Sequence, residues 1–259
     1  MFLKNILFLV LNVFVFCESG FVDTLDKCKI NDGDCQKVMF QSVLRDISKT
    51  GIPELKIPQL DPIKLKNVSV SIENIIDISM LEGVVKGIKY CTVNNFQTNI
   101  EAEHAFVELT CDITVKGQYK VYSSSPVVKN FFGGQSIHGE GNGKIKISKL
   151  FIRLDFDFFV QRRDGELYLN CKNEKTIYSY DIKGNMNFAA DKLYIGKTES
   201  SKVVVDLINS NWRALMSSFG KPFMDKAMVF VRDFLHRFFY AVPARHYIID
   251  DLSAYARDE

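Results

Sequence analysis

The spacing of apolar residues changes three times along the chain, and each change predicts a different element. The first apolar run, Ile6 to Phe16, is interrupted only by Asn12, follows a single basic residue at Lys4, and leads into Cys17-Glu18-Ser19-Gly20. A positive start, a short greasy middle and small residues at the end predict a secretory signal peptide over residues 1–19, leaving one domain over residues 20–259. The run is shorter than the roughly 20 residues that cross a bilayer, so no stable membrane anchor is expected. Val38, Met39, Val43, Leu44 and Ile47 then recur at helical spacing and stop at Gly51, with Pro53 just beyond. This predicts a helix beginning near Asp34. From Ile63 the period drops to two. Val68, Val70 and Ile72 share one face, as do Val107, Leu109, Cys111, Ile113 and Val115, and as do Ile152, Leu154, Phe156 and Phe158. Between Ile147 and Leu150 the alternation slips by one residue, which swaps faces unless a bulge absorbs it. Arg163-Asp164-Gly165-Glu166 predicts a hairpin turn, with alternation resuming at Leu167, Leu169 and Cys171. Ile182, Gly184, Met186 and Phe188 mark a further strand. The helical period returns at Val203 and runs to Pro243, interrupted by Gly220 and Pro222. Pro222 either opens a new helix or kinks a continuous one. The last segment is apolar on more than one face, as in an enclosed helix.

Export changes how the six cysteines are read, because thiols outside the cell tend to pair. Cys28 and Cys35 flank Asn31-Asp32-Gly33, a turn sequence, so they meet without long-range folding. On the chain-entropy account a bridge there stabilises by roughly 2–3 kcal/mol. Cys91 and Cys111 lie equally far from Glu101, in two segments that resemble the arms of a hairpin. Opposed antiparallel residues are close enough for a disulfide, but spacing does not fix connectivity, and this second pairing stays open. Cys171 is left over and reads as a small buried hydrophobe. Asn67-Val68-Ser69 is a glycosylation sequon at the start of the first strand.

Charge and motifs exclude several classes of chemistry. The formal net charge is only +2, and the lysines alternate with apolar residues, as in Lys144-Ile145-Lys146-Ile147. That pattern suits the wet face of a sheet and offers no basic stripe for nucleic acid. Gly134-Gln135-Ser136-Ile137-His138-Gly139 approaches a nucleophile elbow but has His138 where the last glycine belongs. The glycine-rich stretch from Gly133 to Gly143 fails as a phosphate cradle and reads as a loop at the end of the sheet. His104, His138, His236 and His246 have no metal-ligand spacing. No catalytic residue, metal or cofactor is expected, and a secreted esterase is a remote alternative.

Cys28 and Cys35 beside the first helix, the stretch Gly51-Ile52-Pro53-Glu54-Leu55-Lys56-Ile57-Pro58-Gln59-Leu60-Asp61-Pro62-Ile63, the Gly117-Gln118-Tyr119 strand end and the closing Phe239-Tyr240-Ala241-Val242-Pro243 together resemble the insect juvenile-hormone-binding and takeout family. The resemblance covers nearly all of the chain after residue 19. It implies an α+β fold in which a long C-terminal helix is wrapped by a highly curved antiparallel β-sheet, related to one half of the bactericidal/permeability-increasing type of lipid-binding protein. It further implies an internal hydrophobic tunnel for a small hydrophobic ligand: juvenile hormone, another terpenoid, a fatty acid or a quinone. Cys91 and Cys111 fall outside the family pattern. On this reading Met39 and Val43 on the first helix, Trp212 and Phe219 near the helix break, and Phe223, Met228, Phe230, Phe234 and Phe238 on the long helix line the tunnel. Tyr119 and Tyr122 are candidates for a hydroxyl at its end. Hiding ~400 Å² of apolar ligand surface gains on the order of 10 kcal/mol before entropic costs, so micromolar to nanomolar binding needs no covalent chemistry. The resemblance also permits a second function, an extracellular signal in feeding, clock output or behaviour that acts through its surface on an unidentified receptor. Either way the protein is expected in haemolymph or another extracellular fluid.

Overall fold

A computed structural model describes residues 20–172 and 177–257; the expected signal peptide, residues 1–19, lies outside the described residues. The first helix, α1 (Gly33–Thr50), starts where the Asp32 side chain accepts a hydrogen bond from the Cys35 N–H at 3.0 Å. That cap satisfies one of the free amides of the first turn. The helix ends at Gly51 and buries Val43, Leu44 and Ile47 on one face. The proline-punctuated stretch that follows is a tight turn closed by reciprocal bonds between Ile52 and Ile57, at 2.9 and 3.1 Å. Both isoleucines are buried. Asp61, also buried, donates its N–H to the Ser48 carbonyl at 2.8 Å, and its carboxylate accepts from the Gly87 and Lys89 amides. The segment therefore joins α1 to the sheet instead of hanging between them.

Strands follow: β1 (Ile63–Ile72), β2 (Ile76–Lys86), β3 (Thr92–Asn99) and β4 (His104–Ser123), then a short helix α2 (Pro126–Phe131), then β5 (Ile137–Arg163), β6 (Glu166–Cys171), β7 (Ile177–Ile182), β8 (Met186–Ala190), β9 (Leu193–Ile195) and β10 (Thr198–Glu199). The chain closes with α3 (Ser201–Ala241) and β11 (Ala256–Arg257). The antiparallel pair β4–β5 is the spine. Along the other edge of β4 lie β2 and β3, and β6, β7, β8 and β9 each take a different stretch of β5. At ~3.3 Å per residue, the 27 residues of β5 would reach about 90 Å if straight, against about 60 Å for the 41 residues of α3 at ~1.5 Å each. The sheet must curve to stay on the helix.

The bulge expected between Ile147 and Leu150 is one place where it does. Pairing jumps from Cys111 with Leu150 to Ile113 with Ile147, and Lys149 adopts a φ of 52° with its N–H on Asp112 Oδ1 at 2.7 Å. The neighbouring strand breaks at the same level, β7 ending at Ile182 and β8 starting at Met186. The single strand expected across Ile182 to Phe188 is thus two, because a ladder cannot run unbroken past a bulged partner. The Arg163–Glu166 hairpin turn forms as expected, with Asp164 and Gly165 at φ 50° and 80°. Gly139, Gly141 and Gly143 correct another expectation, since they lie within β5 and not in a loop. A Cβ at Gly141 would stand 2.1 Å from the Asp191 carboxylate, so the glycine serves close chain approach.

Pro222 lies inside a continuous α3. The long helix packs against the curved antiparallel sheet, burying Val204, Met224, Met228, Leu235 and Phe238. It is not enclosed all round: Val203, Val229, Phe230 and Tyr240 are exposed, because the sheet covers only one side. Beyond α3 the chain turns back to the start of the fold. Cys28 and Ile248 form a parallel bridge, with the Cys28 N–H on the Tyr247 carbonyl at 3.0 Å and the Ile249 N–H on the Cys28 carbonyl at 2.9 Å. Cys28 is bonded to Cys35, so the first turn of α1 and both terminal segments are clasped together.

Candidate ligand cavity

The elements meet around an apolar cavity of about 60 Å³. Helix α1 contributes Gln36, Met39, Phe40 and Val43, which lie three or four positions apart and so share a face. The sheet contributes residues two apart, Phe96 and Thr98 on β3 and Phe156 and Phe158 on β5, aimed to one side by strand alternation. Ala105 on β4 and Leu169 on β6 complete that wall. Helix α3 supplies Phe234, Leu235, Phe238 and Phe239, and the terminal clasp supplies Ile30, Tyr247 and Ile248. The rings form a connected set: Phe238 lies 6.2 Å from Phe234, 5.5 Å from Phe239 and 6.0 Å from Tyr247 between centroids. Phe156 stands 6.4 Å from Phe239 and Phe40 5.5 Å from Phe96.

Polar groups are few in this wall. The Gln36 amide donates to the Ile30 carbonyl at 2.8 Å and accepts from the Thr98 hydroxyl at 3.1 Å, which explains how a glutamine can be fully buried there. A second, more polar hollow of about 80 Å³ lies beside the first, lined by His104, Asp155, Asp157, Lys172, Arg232 and His236. Phe156 and Leu235 border both hollows. His236 is held below the ordinary histidine range, first by burial and then by Arg232. Cys171 also borders the second hollow and is free. Burial pushes its thiol up to about 12, so it carries almost no thiolate at neutral pH and is a poor nucleophile.

Of the residues proposed from the sequence to line a tunnel, the structure brings Met39, Val43, Phe234 and Phe238 together at the cavity. The others lie elsewhere. Met228 is buried against Val93, Val107 and Leu154, and Trp212 packs on the Leu150, Ile182 and Met186 cluster. Phe219 and Phe223 are half-buried on α3 away from the cavity wall. Phe230 is 39% exposed, since it follows Met228 by two positions, about 200° around a helix. Tyr119 is buried but donates to the Asp191 carbonyl at 2.6 Å, and Tyr122 is 52% exposed. Phe40, Phe96, Phe156 and Tyr247 were missed. Strand alternation assigns a residue to a face without saying which part of α3 that face meets, and Tyr247 sits in a segment too short to show any period.

Cys91 and Cys111 are bonded, with Cα atoms 4.2 Å apart. Their symmetry about Glu101 works because two irregularities cancel. The turn pairs Asn99 with His104, and one extra residue at Asn94 in β3 restores Val93 opposite Leu109. Asn67 is exposed at a positive φ of 51°, where β1 skips a pairing position opposite Leu81. Among the described residues no cluster of three or more His, Cys, Asp or Glu is placed to hold a metal ion, and no helix is long and apolar enough to cross a membrane.

The sequence profile of the family described as haemolymph juvenile hormone binding protein matches residues 6–248. The fold matches the crystal structure of Takeout 1 from Epiphyas postvittana with a TM-score of 0.76 at 24% identity, over 87% of this chain and 100% of that one. The crystal structure of a lipopolysaccharide binding protein aligns with a TM-score of 0.37 at 12% identity, over 76% of this chain and 36% of that one. Curated protein sequences gave no match.

Proposed function

Because the chain belongs to the haemolymph juvenile hormone binding protein family, we propose that it is a secreted carrier that holds a small hydrophobic ligand between α1, α3 and the sheet. The observation that carries this reading is the apolar, aromatic-lined cavity where both helices, the sheet and the terminal clasp converge. Plain core packing would leave few voids larger than a water molecule at such a junction. At about 60 Å³ the cavity is well below the ~300 Å³ at which ligand sites begin, so a terpenoid or acyl chain enters only if wall side chains move. Met39, Phe234 and Phe239 are half-buried and pack at the rim of the core, and methionine and phenylalanine walls adapt with little loss of contact. Phe156 and Leu235, which separate the two hollows, mark the direction in which the space would extend into a tunnel. Juvenile hormone, other terpenoids, fatty acids and quinones all remain within this chemistry.

Protein secreted from insect cells and taken to native mass spectrometry, with organic extraction of whatever is bound, tests the reading. A stoichiometric apolar molecule is expected. A protein that emerges empty and binds neither terpenoids nor fatty acids at micromolar concentration overturns the carrier, and favours the surface-acting signal, for which the exposed Val127 and Phe131 of α2 are the observation in hand. The same spectra are expected to show a glycan mass that the Asn67→Gln variant loses.

A further inference from the structure

Strand register gathers lysines from separate stretches of sequence onto one face of the sheet. Lys64 on β1 lies opposite Val84 on β2, Val84 opposite Lys116 on β4, and Lys116 opposite Lys144 on β5. In the adjoining row Lys86, Thr114, Lys146 and Asn187 succeed one another across β2, β4, β5 and β8. Lys64, Lys86, Lys116, Lys144 and Lys146 are all exposed. They project away from α3, because the residues alternating with them, Ile113, Ile145 and Ile147, share a core cluster with Trp212 and Met216 of the helix. At ~4.8 Å between strands, the row from Lys64 to Lys144 runs about 14 Å. Among the described residues none of these lysines forms a salt bridge, whereas Lys120 on the same face pairs with Glu140 at 3.3 Å. The acids at the margin do not neutralise the rows: Glu82 faces Lys66, and the Asp112 carboxylate accepts from the Lys149 N–H.

Such an arrangement works against the fold. Like charges directly opposite one another on antiparallel strands are destabilising, and Lys116 and Lys144 stand in that relation. Lysines on an edge strand guard against aggregation, which accounts for Lys64 on β1. It does not account for Lys116 or Lys144, whose strands are paired on both sides at these positions. We infer that this face is a docking surface for a sulfated polysaccharide of the extracellular matrix; it is separate from the ligand cavity and rests only on export of the chain. Neighbouring strands set the lysines about 5 Å apart, and alternation along a strand sets them ~7 Å apart. A linear polyanion laid across the rows meets several at once and releases its counterions, as nucleic-acid phosphates do. Gln118 and Asn187, exposed beside them, supply amides for sugar hydroxyls. A lipid surface fits less well, since attachment there adds an inserted apolar face to the basic one, and these rows hold no apolar residue larger than the half-buried Val84. Single-stranded nucleic acid stacks its bases on aromatic side chains, and neither row carries one.

Chromatography on heparin-agarose at ~0.15 M NaCl, near physiological ionic strength, tests the surface. Wild type is expected to be retained, and to elute at higher salt than from a sulfopropyl resin, which records simple ion exchange. Lys116→Gln, Lys144→Gln and Lys146→Gln combined are expected to weaken heparin binding by roughly tenfold or more. The same change in net charge made at the exposed Lys29, Lys197 and Lys226 should leave it nearly intact. The melting temperature of the first variant should hold or rise, since repulsion between opposed lysines is removed. Flow-through of wild type, elution from both resins at one salt concentration, or equal loss in the two variants overturns the site. So does a loss accompanied by a fall in melting temperature, which assigns the lysines to folding. Pelleting with phosphatidylserine vesicles by protein that heparin does not retain overturns it in favour of a membrane. None of these outcomes bears on the cavity, whose ligand is measured separately.

Discussion

Phe238→Ala is expected to lower the unfolding free energy by roughly 3–5 kcal/mol, and in a chain of this length that corresponds to a fall in melting temperature on the order of 10 °C. Phe238 is 8% exposed and touches three other rings, Phe234, Phe239 and Tyr247. It also lies on the wall of the cavity. Truncation therefore removes the ring's own burial and merges its vacated volume with the existing hollow, where the surroundings already fail to collapse. On the carrier reading the loss is partly reversible. A bulky apolar ligand that fills the enlarged space should recover about 2.7 kcal/mol at a hundredfold excess over its dissociation constant, and should raise the melting temperature of the variant more than that of wild type. Calorimetry with and without ligand checks both halves. An unchanged melting temperature in the unliganded variant would show that Phe238 is not packed as described.

Gly51→Ala is expected to cost a comparable amount, roughly 3 kcal/mol or more, by a different mechanism. Gly51 has φ 68° and ψ −161°, a region that residues with a Cβ scarcely enter. A Cβ there would lie 2.3 Å from the Ile57 carbonyl oxygen, 2.7 Å from the Pro58 carbonyl carbon and 2.8 Å from the Gln59 nitrogen. All three are backbone atoms, so relief means opening the Ile52–Ile57 turn and loosening the Asp61 link between α1 and the sheet. Gly133 supplies the control: its φ is 62°, but nothing lies within 4 Å of a Cβ, and Gly133→Ala should cost only the conformational strain, about 1 kcal/mol. Urea unfolding of the pair distinguishes the two contributions. Equal midpoints for the two variants would mean that the tight approach at Gly51 has no energetic consequence.

Local chemistry was readable in the amino-acid order. The end of α1 follows from Gly51 and Pro53, the Arg163–Glu166 turn from Asp164-Gly165, and the bulge in β5 from a one-residue slip in alternation. The hairpin arms around Cys91 and Cys111 were also legible, though their pairing, left open by the spacing, depends on the extra residue at Asn94. In each case the determining interactions span a few residues, or one reflection, and periodicity records them. The family resemblance carried the helix-on-sheet architecture further than any single period did.

Non-local packing decided the rest. No period says that Pro222 is tolerated inside one helix, that the strand across Gly184 breaks opposite the bulge, or that Gly139 to Gly143 belong to β5. The cavity makes the same point at the level of single residues. Phe40, Phe96, Phe156 and Tyr247 come from four separate stretches and meet only because the curvature of the sheet and the terminal clasp bring α1, β3, β5 and the chain end onto one part of α3. Sequence determined which residues are apolar and which face of its own element each occupies, since those depend on neighbours along the chain. Only the tertiary structure decided which faces oppose one another, and so why Phe234 borders a cavity while Phe230, one turn earlier, borders water.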